Sequence, residues 1–147
     1  MDLLITPLAL AIAINLIEGF EGTETQAYLD QVGVPTICSG ITRYPNGMPV
    51  RIGDVCNKAV CQRYLEDMLK HEYVPPLFSI PGWNDFGPRR QAVLISFAWN
   101  LGPNFYGNTG FETISSVLKE GAEKPESYSK LPEALNLYVK ANGVELE

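Results

Sequence analysis

Between Leu3 and Ile17 only Thr6 and Asn15 are polar. This apolar run constrains the chain more than any other feature. At 15 residues with Pro7 inside it, it falls short of the roughly 20 that a spanning helix needs. No basic cluster precedes it and no small-residue cleavage site follows, so it makes a poor secretory leader. A signal-anchor is the weaker alternative. Thr6-Pro7 supplies an N-cap followed by a proline at the first helical position. The run therefore predicts a helix from Leu8 to about Glu21, stopped by Gly22. A helix apolar nearly all round must be buried among other elements.

The remainder predicts what it packs against. Ala27 to Asp30 and Val34 to Gly40 flank a turn at Gln31-Val32-Gly33, which reads as a β-hairpin. Tyr44 to Pro49, with Asn46-Gly47 at its centre, is a second turn, and Val50 to Ile52 could add a third strand. From about Asn57 the pattern becomes helical, with Val60, Tyr64, Leu65, Met68 and Leu69 at helical spacing and Pro75-Pro76 as the stop. A Pro/Gly-rich loop over Pro81 to Pro88 precedes a strong helix from Arg89 to about Leu101, closed by Gly102-Pro103. Further helices are predicted over about Phe111 to Lys119 and Leu131 to Ala141, the last ended by Asn142-Gly143, and Glu120 to Lys130 reads as loose. Helix, small antiparallel sheet, then helices is an α+β layout, with a cleft where the sheet meets the helices. Its 147 residues fit a single domain, 1–147.

A net charge of −6 argues against a nucleic-acid partner. It also disfavours steering toward any anionic polymer, unless a local patch such as Arg89 and Arg90 does that work. The three cysteines, Cys38, Cys56 and Cys61, are an odd count. They are read as small buried residues or as the mark of a reducing compartment rather than as a disulfide framework.

Two carboxylates stand out. Glu21 follows Phe20 at the end of the apolar helix, where partial desolvation raises a carboxyl pKa and suits a general acid. Asp30 lies beside a turn, in a more polar setting where the charged form is expected. Two acids in unlike environments are the minimum set for glycoside hydrolysis. Nine residues of separation is by itself weak evidence, since a solvated helix-end Glu and a turn Asp are common.

The surrounding string is more specific. Ile17-Glu18-Gly19-Phe20-Glu21-Gly22, Ala27-Tyr28-Leu29-Asp30 and Gly33-Val34-Pro35-Thr36-Ile37 resemble the N-terminal signature of phage-type (T4-like) lysozymes and endolysins, glycoside hydrolase family 24. Arg89 to Gly102, with Ser96-Phe97-Ala98-Trp99-Asn100, resembles that family's central helix. The resemblance implies a lysozyme-like fold and cleavage of peptidoglycan glycan strands between N-acetylmuramic acid and N-acetylglucosamine, with no cofactor or metal. It implies Glu21 as general acid, Asp30 as base or charge stabiliser, and Thr36 as a hydroxyl that helps hold the attacking water. An inverting reaction would set the carboxylates about 6.5–9.5 Å apart. Ser96, Trp99 and Asn100 become candidate substrate-binding residues. Trp99 also suits a core position, and Trp83 and Tyr106 are unranked loop aromatics. Glu18, one turn earlier, is the rival acid.

Three departures qualify the resemblance. Cys38 stands where the family usually has Gly, and Ile41 where many members have His. The family commonly continues into a further helix that packs on the first. This chain stops at Glu147, so either the sequence is shortened or that helix is missing, and a monomer is expected, prone to self-association through the uncovered face if the helix is absent. Three other readings compete. One is a weakly catalytic, wall-binding homologue in a phage particle. Another is a metal site built from Cys38, Cys56, Cys61 and His71. The third is a membrane-active lysis partner using the N-terminal run. The lysozyme reading places the protein in the host cytoplasm until it reaches the wall.

Overall fold

The computed structural model describes residues 6–141. Helix α1, Pro7–Glu21, starts where its capping sequence predicts: Thr6 Oγ1 accepts the Ala9 N–H at 3.0 Å. It ends as the Gly22 N–H reaches the Glu18 carbonyl at 2.8 Å, with Gly22 at φ +75°, a conformation that favours glycine. One stripe of α1 is buried, formed by Ala9, Leu10, Ala13, Ile14 and Ile17, and it packs chiefly on α3, Pro88–Leu101. Leu8 and Phe20 lie outside that stripe and are exposed, so the burial is one-sided where all-round hydrophobicity predicts an enclosed helix. Among the described residues no helix is long and apolar enough to cross a membrane.

The hairpin forms as β1, Glu24–Leu29, and β2, Pro35–Cys38, antiparallel with Tyr28 opposite Thr36 and an irregularity between Glu24 and Tyr28. The turn between the strands is held by Asp30, whose Oδ1 accepts the N–H groups of Val32 and Val34, both at 2.9 Å. The Asn46-Gly47 turn is also present, with Gly47 at φ +90°. The third strand at Val50–Ile52 does not form. Isolated bridges replace it, Arg43 opposite Pro49 and Gln26 opposite Val55. Pro49 has no N–H to give to a ladder, which limits pairing there.

Helix α2, Lys58–Met68, is capped by Asn57 Oδ1 accepting from Val60 N at 2.9 Å. It runs into a π-helical turn, Leu69–Tyr73, before Pro75 and Pro76 open a short 3-10 turn, Pro75–Ser79. After α3 come α4, Glu112–Glu123, and α5, Leu131–Ala141. The expected stop at Asn142-Gly143 lies outside the described residues.

The segment expected to be loose, Glu120 to Lys130, is instead the end of α4 and a 3-10 turn, Pro125–Lys130. Tyr128 explains the difference. Its ring packs edge-on against Phe86 (centroids 5.5 Å apart), and the Arg90 guanidinium lies 4.1 Å from its centroid. It also fills the space over Gly121, where an added Cβ would sit 2.2 Å from Tyr128 Cε1. Gly121→Ala should therefore lower stability. The helix-propensity gain of about 1 kcal/mol is outweighed by an overpacking cost of about 1–3 kcal/mol, because the Phe86 ring and the Arg90 guanidinium keep Tyr128 from moving aside. Thermal melts of Gly121→Ala and Gly121→Ala/Tyr128→Ala test this: the alanine at 121 should be harmful only while Tyr128 is present.

Two apolar clusters result. The main one joins α1, α3 and α4 around Ile17, Leu94, Ile95, Phe105, Ile114 and Leu118. The smaller one, Ile37, Cys38, Ile41, Val50, Cys61 and Met68, seats the hairpin on α2. Trp99 packs against both, so the end of α3 is the joint between the two lobes.

Candidate active site

Glu21 is the last residue of α1 and points its carboxyl at the loop after β2. Its Oε1 lies 3.6 Å from the position a Cβ on Gly40 would occupy. Gly40, at φ +101°, gives the loop a turn that other residues resist. Ser39 fastens the same loop to the end of α1, its hydroxyl donating to the Gly22 carbonyl at 3.0 Å. As a whole residue Glu21 is exposed, but partial burial of the carboxyl head pushes its pKa above the ordinary value. The direction is the one expected of a helix-end acid against apolar neighbours.

Glu21 lines a cleft of about 240 Å³ between the hairpin lobe and the helices, together with Gly40, Arg43, Tyr73, Trp99 and Asn100. A larger hollow of about 690 Å³ lies on α4, among mixed lysines and glutamates that include Glu112, Lys119 and Lys130. Two carboxyls lining it, Glu112 and Glu120, are held below the usual range, Glu112 by the Gly110 N–H and Glu120 by the Ser127 hydroxyl. The chemistry points to the smaller cleft.

Asp30 does not line that cleft, but one side chain senses both acids. The Tyr28 phenol pKa is raised first by burial and then by the negative charges of Glu21, Glu24 and Asp30. Tyr28 thus lies within electrostatic range of both candidate carboxylates. With Asp30 Oδ1 committed to the turn, Oδ2 has no partner among the described residues. Thr36, opposite Tyr28, is buried, and its hydroxyl donates to the Val34 carbonyl at 2.8 Å, so only its lone pairs are left to orient a further group.

A family model for phage lysozyme matches residues 18–147. The chain belongs to the phage lysozyme family. It is 35% identical over 109 residues to a SAR-endolysin of Pseudomonas phage phiKMV, a match that covers 73% of this chain and 62% of that relative. Among solved structures it is similar to an endolysin from Escherichia coli O157:H7 phage FAHEc1, with TM-score 0.60, 25% identity, 84% of this chain covered and 73% of the other. A P22 lysozyme mutant gives TM-score 0.63 at 22% identity, with 88% and 80% covered. The α+β arrangement is a lysozyme-like fold.

Within this phage lysozyme fold the other candidates separate. Trp99 and Asn100 line the cleft, and Trp99 packs on Tyr73 with centroids 4.9 Å apart. Ser96 does not line it; the residue is buried and its carbonyl accepts from Asn100 Nδ2 at 3.1 Å, so it supports the position of Asn100. Trp83 is a core residue, and Tyr106 lines a separate hollow beside Gly107 and Thr109. Glu18 faces a different groove, where its Oε1 accepts from Gln62 Nε2 at 3.2 Å. Ser39, Gly40, Arg43 and Tyr73 are cleft residues that the sequence reading misses. Of these only Gly40 carries a local cue, as a turn glycine after a strand.

The cysteines correct their sequence reading. Cys38 and Cys61 form a disulfide (S–S 2.09 Å, Cα–Cα 5.3 Å), and Cys56 is a half-exposed free thiol. The pair argues against three reduced, merely space-filling residues; an odd count leaves room for one bond and one spare. All three sulfurs lie within 4.8 Å of one another. Cys56 precedes the α2 cap and Cys61 lies within the helix. The disulfide uses two of the sulfurs, and His71 pairs instead with Asp67 at 3.2 Å. The proposed Cys₃His set therefore does not assemble. Nor do Arg89 and Arg90 supply the cleft cation: Arg90 is stacked on Tyr128, and the cation lining the cleft is Arg43.

Proposed function

We propose that this chain is a peptidoglycan hydrolase of the T4-like, family 24 type, a muramidase that cuts the β-1,4 bond between N-acetylmuramic acid and N-acetylglucosamine. The observation that carries the reading is the Glu21 carboxyl at the mouth of an inter-lobe cleft, with its pKa raised by burial. A protonated carboxyl there can give its proton to the leaving glycosidic oxygen. Asp30, with one oxygen fixed by two backbone N–H groups, is the second carboxylate, polarising water or balancing charge at the sugar carbon. Thr36 accepts from that water. Trp99 and Asn100 contact the glycan, with Ser96 behind them.

The phage relatives support action on a host wall after synthesis in the host cytoplasm. Two features bear on the route out: a relative called a SAR-endolysin and the apolar N-terminal run. Mass analysis of digested peptidoglycan tests the bond assignment. New reducing ends on N-acetylmuramic acid are expected. Reducing N-acetylglucosamine ends would mean a glucosaminidase, and anhydro-muramyl ends a lytic transglycosylase.

A further inference from the structure

Arg43 is the cationic side chain that lines the Glu21 cleft in a protein of net charge −6. Its guanidinium donates to Glu72 Oε1, 29 residues away on the π-helical turn, so the pair joins the hairpin lobe to the helical lobe at the cleft rim. Both ends are anchored. On one side Arg43 bridges Pro49, and the neighbouring Tyr44 hydroxyl donates to Asp54 Oδ2 at 2.6 Å. On the other, Leu69 is fully buried and Tyr73 packs against Trp99. The ion pair itself is exposed, the two side chains retaining 46% and 35% of their accessible surface, and an exposed pair adds little to stability. Its position explains it better than its strength does. It holds a guanidinium in the lining of the cleft that Glu21 shares, and a ligand carboxylate could replace Glu72 at small cost. The contact with Glu72 uses one nitrogen of a fork that offers five N–H donors.

We propose that Arg43 is a specificity-determining residue that binds a carboxylate carried by the muramyl unit, with Glu72 holding the guanidinium in place until that carboxylate arrives. The proposal rests on the muramidase reading. On stem-bearing wall the carboxylate is one borne by the peptide stem, because the lactyl carboxyl is there an amide; where the stem has been removed, the freed lactyl group offers the fork the same planar acceptor.

Steady-state kinetics on three sets of soluble wall fragments test the proposal: stems with free carboxylates, stems with those carboxylates amidated, and glycan stripped of stems. Arg43→Gln should raise KM on free-carboxylate fragments by about tenfold, leave kcat within about twofold, and have far less effect on amidated fragments. Arg43→Lys should retain part of the preference. Persistence of the effect on stripped glycan shows that the fork also takes the lactyl carboxylate freed by stem removal, and its disappearance confines recognition to the stem. A uniform loss on all fragments, or a loss in kcat alone, overturns the proposal, and so does an unchanged KM on fragments the wild type cuts well. A wild type that cuts none of the fragments refutes the muramidase reading itself, which is a separate result.

Discussion

Glu21→Gln is expected to lower the rate of cell-wall lysis by a factor on the order of 10²–10⁴, the usual contribution of a positioned general acid. That corresponds to about 3–5 kcal/mol of transition-state stabilisation. The amide keeps the shape of the side chain and its place against Gly40 but has no proton to give to a leaving oxygen. Because Glu21 is exposed as a residue, the variant should fold as the wild type does. A turbidity assay on walls, read beside a thermal melt, checks both. Near-normal lysis by a folded Glu21→Gln would refute the acid assignment, and binding without lysis by the wild type would favour the wall-binding alternative.

The pH profile carries the same signature. Burial raises the Glu21 pKa, so the protonated, active form persists above the ordinary glutamate range, and activity should fall as pH rises through the shifted value. Stability has the same sign. The folded chain holds this proton more tightly than the unfolded chain does. Stability is therefore greatest below the unfolded pKa and declines as pH climbs through the folded one. In Glu21→Gln that alkaline limb should vanish from both the residual rate and the melting temperature.

What is legible in the sequence is what neighbours along the chain decide. Thr6-Pro7 and Asn57 place two helix starts because a cap and its N–H partners lie within three residues. The hairpin turn follows from Asp30 and Gly33, whose contacts are equally local. The π-helical turn at Leu69–Tyr73 has no such local marker, yet it carries Glu72 and Tyr73 to the cleft. The Arg43–Glu72 pair, the order imposed on Tyr128 by Gly121 and Arg90, and the Cys38–Cys61 bond all depend on the folded arrangement. Such contacts leave no periodicity to read. Glu21 and Asp30 stand out as candidates because a family pattern surrounds them; their spacing alone would not single them out.

Loss of the Cys38–Cys61 disulfide should be the largest stability effect in the hairpin lobe. The bond closes a segment with a sequence separation of 23 residues, and the loop-entropy model assigns about 3 kcal/mol to a closure of that length. Little else can compensate. The sheet has two strands, of six and four residues, which is marginal without support. The small cluster beneath it contains both half-cystines among its buried members. For a domain of this size, 3 kcal/mol corresponds to a fall in melting temperature of about 6–12 °C, measurable by calorimetry on Cys38→Ser/Cys61→Ser or on the wild type with reductant. The single variants should behave differently. With all three sulfurs within 4.8 Å, Cys61→Ser leaves Cys56 within reach of Cys38. A substitute Cys38–Cys56 bond, visible by peptide mapping under oxidising conditions, should recover part of the loss, whereas Cys56→Ser alone should melt like the wild type. Since Ser39 and Gly40 follow Cys38 directly and hold the loop against Glu21, lysis should fall in step with the hairpin. A double variant that melts and lyses like the wild type would show that the bond supports neither the lobe nor the acid.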